Sequence, residues 1–223
     1  MKKPALNKNW TRRQFIQRAA AVASGIVAAP NIITSAALGA TNRAPASERM
    51  GIGLIGAGGR GRDVLRAFMA QSDTQVLAVC DVIGERRLAG QNQVNEGYRN
   101  QDCAAYIDML ELLDRKDIDA VLIATGDRWH APASIMAMRA GKDVFCEKPS
   151  CHTMAQGQMV VETARRYGRV YQTGTQRLSE ANHVFAIEMA RTGRLGQIHT
   201  AYADIRWRDG IRHDCLPAEP EPP

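Results

Sequence analysis

From Met50 onward, short apolar runs alternate with stretches whose apolar residues recur every three or four positions, the pattern of strands joined by helices. Five runs read as strands: MGIGLIG (50–56), QVLAVCD (75–81), IDAVLIAT (118–125), KDVFCEK (142–148) and GRVYQTG (168–174). Four of these five are apolar on both faces. Strands of that kind need cover on both sides, which implies a parallel sheet with crossover helices on each face, a doubly wound α/β fold. Helical spacing marks Val64, Leu65, Phe68 and Met69, and again Met109, Leu110, Leu112 and Leu113. Pro132 suits a first helical turn and Gly141 its left-handed end; Thr153 and Gly168 bracket another helix in the same manner. Residues 83–100 are polar and interrupted by glycine, so their helical pattern is weaker.

After Thr175 the style changes. SEANHVFAIEMARTG (179–193) reads as a helix capped by Ser179 and closed by Gly193. QIHTAYADIRWR (197–208) alternates apolar and polar residues, which predicts a strand with one wet face and a different sheet. One helix and one strand cannot form a covered sheet alone, so a second domain is expected to begin here and to be incomplete before the Pro-rich end, CLPAEPEPP.

Composition alters this picture at one point. The chain has 223 residues, 45% of them hydrophobic, and a net charge of +6. Of its 29 Lys and Arg, six lie in residues 1–40, where there is no Asp or Glu, leaving 23 basic against 23 acidic residues. A neutral body removes the main support for nucleic-acid binding. The front segment reads instead as a leader: a basic start, TRRQFIQ (11–17), then a small and apolar run from Ala19 to Ala40. Paired arginines followed by Phe resemble a twin-arginine export signal, which implies an exported, periplasmic protein that meets the twin-arginine machinery already folded. Pro30, Gly25 and Gly39 argue against a stable membrane span there. Cys80, Cys103, Cys146, Cys151 and Cys215 are odd in number and form no disulfide framework, with Cys80 and Cys146 expected as buried thiols. Four residues separate the cysteines of CEKPSCH (146–152), where a haem attachment site has two, so neither haem nor metal is read there.

The chemistry is concentrated in GLIGAGGRGRDV (53–64). Gly56, Gly58 and Gly61 match GxGxxG between a predicted strand and a predicted helix, the context of a dinucleotide site. In such a loop the backbone N–H groups of Ala57, Gly58 and Gly59 and the positive end of the helix face phosphate, and Arg60 adds a charge. Asp81, twenty residues after Gly61 at the end of the second strand, is placed to accept bonds from ribose hydroxyls. An acid there repels a 2′-phosphate, so NAD is expected ahead of NADP; Arg86 and Arg87 nearby keep NADP open.

Taken with AVCD, DIDAVLIATGDRWH, AMRAGKDVFCEKP and TGTQRLS, in this order over about residues 50–208, the glycine loop resembles the Gfo/Idh/MocA family, which includes glucose-fructose oxidoreductase and inositol dehydrogenase. The resemblance implies a Rossmann domain over 41–175 behind a leader over 1–40, with the beginning of a C-terminal α/β substrate and oligomerisation domain over 176–223. It implies hydride transfer from a secondary hydroxyl of a sugar or polyol to NAD(P). Lys148 of the EKP motif would stand beside the nicotinamide and the reacting hydroxyl, where an ammonium can relay the hydroxyl proton. Glu147, Thr125 and His130 would shape the cofactor pocket, and Gln176 and Arg177 would reach cofactor or substrate. Gly126 stands where relatives have proline, which leaves the placement of Asp127 open. The family's second-domain Asp and His would lie past residue 223, so the chain as given is expected to bind dinucleotide and to turn over poorly, with oligomers expected for a longer form. Two other readings stay open: an NAD-dependent glycoside hydrolase of the same fold, and a binding protein without catalysis.

Overall fold

The computed structural model describes residues 43–202. The leader residues 1–40 and residues 203–223, including the second half of the strand expected at 197–208, lie outside the described residues. The chain divides into two units at Ser47/Glu48, and the account below concerns the second.

Six strands alternate with helices: β1 (Met50–Ile55), α1 (Gly59–Met69), β2 (Thr74–Cys80), α2 (Gly84–Tyr98), β3 (Ala104–Tyr106), α3 (Met109–Leu113), β4 (Ala120–Ile123), α4 (His130–Arg139), β5 (Asp143–Glu147), α5 (Met154–Tyr167) and β6 (Tyr171–Gly174). All pairings are parallel, in the order β3-β2-β1-β4-β5-β6. This is the doubly wound, Rossmann-like α/β sheet that the apolar runs imply. The chain direction across the sheet reverses between β1 and β4, and ligands of such sheets bind outside the carboxyl ends of the strands at that point.

Alternate residues of the same strands feed two cores. Ile52, Leu54, Val76, Val79 and Leu122 pack with Val64 and Leu65 of α1 and Val94 of α2. On the other face, Ile55, Val121, Ile123 and Val144 pack with Leu112, Leu113, Met138 and Val160. Each fully buried Leu or Ile stabilises the fold by about 1.5–3 kcal/mol relative to exposure. Helix ends follow local chemistry: Asp108 accepts the Leu110 N–H at 2.8 Å and Thr153 accepts the Gln156 N–H at 3.2 Å, while Gly141 and Gly168 adopt positive φ.

The amino end of the sheet is closed by polar side chains. Lys142, only 5% exposed, donates through Nζ to the carbonyls of Arg115 and Ile118. Burial pushes its pKa down. Arg115 forms a fork with Asp117 at 2.9 and 2.6 Å, Asp119 accepts the Gly51 N–H at 2.7 Å, and Asp143 accepts the Val170 N–H at 2.9 Å.

Several expectations are corrected. β3, three residues long, pairs with β2 at the sheet edge and has no counterpart among the five predicted strands. The weak pattern over 83–100 forms a full helix, closed by Arg99 in the left-handed conformation. β6 begins at Tyr171 because Gly168 ends α5 and residues 169–170 serve as the link. Ser179 does not cap a helix: it ends a 3-10 turn, Gln176–Ser179, and Glu180 precedes α6 (Ala181–Arg191) without a side-chain cap bond. Residues 197–202 carry no strand.

Candidate functional site

The carboxyl ends of β1, β2, β4 and β5 bring the predicted site residues to one rim of the sheet. β1 stops at Gly56, whose φ of +93° turns the chain while its N–H donates to the Cys80 carbonyl at 2.8 Å. A Cβ there would meet the Ala124 carbonyl oxygen at 2.6 Å. At Gly61 a Cβ would lie 2.0 Å from the Gly56 carbonyl oxygen, so the third glycine lets α1 approach the strand. Gly58 and Gly59 differ: a Cβ on either meets nothing within 4 Å. The first bond of α1 runs from the Arg62 N–H to the Gly58 carbonyl at 3.0 Å, so the amides of the first turn precede the helical ladder and are available to an anion. An open backbone cradle at a helix start fits a pyrophosphate.

Asp81 is buried, and its two oxygens accept from the Ala57 N–H at 2.7 Å and the Ile83 N–H at 2.9 Å. It therefore braces the glycine loop, a role that spacing alone does not assign, and it engages the Ala57 N–H that was expected to face phosphate, leaving the open amides at Gly58 and Gly59. Each carboxylate oxygen retains acceptor capacity for a ribose hydroxyl. Arg87 donates to the Asp81 backbone carbonyl at 2.7 Å, and Arg86 is exposed. The neighbouring Cys80 thiol is pushed up to about 12, by burial first and then by Asp81.

Arg60 lies across the rim rather than in isolation. Its Nε donates to Glu147 Oε1 at 2.8 Å and its terminal nitrogen lies 2.7 Å from the same oxygen. Gln176 Nε2 donates to that oxygen as well, and Glu147 Oε2 accepts the Lys148 N–H at 3.2 Å. Arg60 and Glu147 are 87 positions apart, so no sequence spacing announces the pair. Arg177 turns away toward Glu180 and His183.

The Lys148–Pro149 peptide is cis. Lys148 is exposed, and its ammonium has no partner among the described residues. Thr125 is half-buried, its hydroxyl donating to the Gly126 carbonyl at 3.2 Å; Asp127 is exposed in the 3-10 turn Asp127–Trp129. His130 is 1% exposed, with Nδ1 2.6 Å from the Pro149 carbonyl oxygen and Nε2 3.2 Å from that of Thr125. Each ring nitrogen thus faces a backbone carbonyl, and the one that carries the proton donates to it. The ring ties the loop after β4 to the loop after β5.

Residues 50–175 match the family model described as "Oxidoreductase family, NAD-binding Rossmann fold" of the Gfo/Idh/MocA group. Inositol 2-dehydrogenase of Salmonella typhimurium is 33% identical over 147 residues, covering 65% of this chain and 42% of that protein. Glycosyl hydrolase family 109 protein 1 of Shewanella sp. (strain MR-4) is 29% identical over 225 residues, covering 90% of this chain and 48% of that protein. Among solved structures, the 3-ketoreductase KijD10 of Actinomadura kijaniata, in complex with TDP-benzene and NADP, superposes with a TM-score of 0.58 at 25% identity, over 65% of this chain and 44% of that one. The chain spans about half the length of the relatives it matches. Glycine cradle, strand-end acid, EKP motif and family match agree: the chain belongs to the Gfo/Idh/MocA family of oxidoreductases and carries its NAD-binding Rossmann fold.

Proposed function

We propose that this chain is the cofactor-binding part of an NAD(P)-dependent oxidoreductase that acts on a secondary hydroxyl of a sugar or polyol. The observation that carries the reading is the open backbone at Gly58 and Gly59 on the same rim as Asp81 and Lys148, whose ammonium has no partner among the described residues. When bound, the dinucleotide supplies a nicotinamide that accepts or returns hydride. The first turn of α1 binds the pyrophosphate, and Asp81 accepts ribose hydroxyls, which favours NAD over NADP. Lys148 shares the proton of the reacting hydroxyl, while Glu147 fixes the backbone from which Lys148 projects. His130 orients Pro149, and with it the loop behind the lysine.

The twin-arginine stretch TRRQFIQ supports export to the periplasm in folded form. Among the described residues no helix is long and apolar enough to cross a membrane. Relatives named as family 109 glycosyl hydrolases are consistent with a second outcome, glycoside cleavage in the same pocket. Titration calorimetry with NAD and NADP tests the cofactor, with NAD expected to bind more tightly. A polyol and aryl-glycoside panel, run on this chain and on a longer form, then separates net NADH formation from sugar release without net redox. Absence of heat with either dinucleotide refutes the reading.

A further inference from the structure

Glu147 is among the most buried acids of the described residues, 4% exposed, yet it stands at the rim where an anionic cofactor would arrive. A carboxylate taken out of water is costly unless it is paired and hydrogen-bonded. Here three donors meet it: Arg60 from the first turn of α1, Gln176 from the segment after β6, and the backbone N–H of Lys148. Left unpaired, its charge would also repel a pyrophosphate seated on the glycine loop. Arg60 cancels that charge through Nε and one terminal nitrogen, both on Oε1. This leaves the other donors of the guanidinium uncommitted among the described residues, on a side chain that is 52% exposed.

We propose that Glu147 is a positioning residue for the cofactor: it anchors Arg60 by one edge, so that the remaining N–H groups of the guanidinium are presented to the pyrophosphate above Gly58 and Gly59. An arginine in the first turn of a helix, free in solvent, must give up side-chain freedom each time it engages a phosphate. Arg60 has already done so against a buried partner. The planar fork matters, because a lysine carries the same charge without a second edge to hold. The same carboxylate also receives the Lys148 N–H, a bond that the amide oxygen of Glu147→Gln can still accept. This inference deepens the cofactor reading and rests on it.

The test measures NAD and adenosine affinity by calorimetry on the full chain, for the wild type, Glu147→Gln, Arg60→Ala and the double variant. Each single change is expected to weaken NAD binding about tenfold and to leave adenosine, which has no phosphate, within about twofold. The double variant is expected to be no worse than Arg60→Ala alone, because Glu147 acts on phosphate only through Arg60. If charge alone mattered, Glu147→Gln would remove a repulsion and tighten NAD binding. Tighter, unchanged or additive effects overturn the proposal. Should Glu147→Gln fail to melt cooperatively, Arg60→Lys, at a half-exposed position, decides: it is expected to lose as much NAD affinity as Arg60→Ala, and wild-type affinity overturns the proposal. A wild type that does not bind NAD defeats the cofactor reading itself, whereas a wild type that binds alongside an indifferent Glu147→Gln defeats only this inference.

Discussion

Replacing Gly58 by alanine separates the two demands that the glycine loop meets. Its φ of −62° and ψ of 177° are open to any residue, and the added methyl group meets no atom within 4 Å. Restricting the unfolded chain gains about 0.4–1 kcal/mol, and losing glycine at the helix N-cap costs about the same. Net stability therefore stays within about 1 kcal/mol, a melting shift of no more than about 4 °C. Binding responds differently, because the methyl group occupies the space through which backbone and phosphate must meet. Loss of one charge-assisted hydrogen bond costs about 1.5–3 kcal/mol, or roughly tenfold to a hundredfold in the NAD dissociation constant. Thermal melting and calorimetric titration on the same preparation read both quantities. A folded Gly58→Ala protein that binds NAD like the wild type would show that ligand does not approach from this side of the loop.

Gly61→Ala is expected to behave in the opposite way: its Cβ would sit 2.0 Å from the Gly56 carbonyl oxygen, so backbone must move. Such overpacking costs about 3 kcal/mol, lowering the melting temperature by roughly 6–12 °C; a melt within about 2 °C of wild type contradicts it. Burial raises the thiols of Cys80 to about 12 and Cys103 to about 11, from 9.0. At pH 8 the Cys80 thiolate fraction is then about a thousandfold below that of an unshifted thiol. In a Cys215→Ser variant, a disulfide reagent should label the partly exposed Cys151 first and reach Cys80 and Cys103 only after denaturant is added; prompt native labelling of Cys80 refutes this. Because the unfolded thiols ionise near pH 9 while the folded ones stay protonated, stability should fall as pH rises from about 9 toward 12. Arg12→Lys with Arg13→Lys is expected to abolish export of a folded reporter fused behind residues 1–40, and undiminished export would remove the twin-arginine reading.

Consecutive apolar positions announced β1, β2, β4 and β5 because a strand covered on both faces has no wet side to encode. β3 escaped for the opposite reason: at three residues, none of them buried, it is shorter than any period can register. The helix α2 has only a sparse apolar stripe, Val94 and Tyr98, because part of its contact with the sheet is made by close approach. A Cβ at Gly90 would lie 2.9 Å from Val79 Cγ1, so a residue that reads as an interruption is what lets the helix dock. The glycine loop was legible since Gly56 and Gly61 each meet a local backbone need, and Asp81 since its distance along the chain follows the βαβ unit. The bonds that unite the rim were not: Asp81 to Ala57, Arg60 to Glu147 and Glu147 to Gln176 all cross between elements. Their partners are set by strand order, which periodicity does not contain. His130, a motif residue expected to shape the cofactor pocket, lies buried at the start of α4 with backbone carbonyls at both ring nitrogens, contacts that its position in the motif does not announce.

The buried Lys142 and the salt-bridged acids around it give the two ends of the sheet unequal freedom. At the amino end Lys142, Arg115, Asp119 and Asp143 are each answered by another part of the same chain, so an exchange there is felt as lost folding energy. At the carboxyl end, Gly58 and Gly59 border open space, and the Lys148 ammonium has no partner among the described residues. Variation in the upper loops can therefore redirect chemistry toward a new compound while the foundation stays intact, which is the division of labour that allows one scaffold to diversify without having to be reinvented.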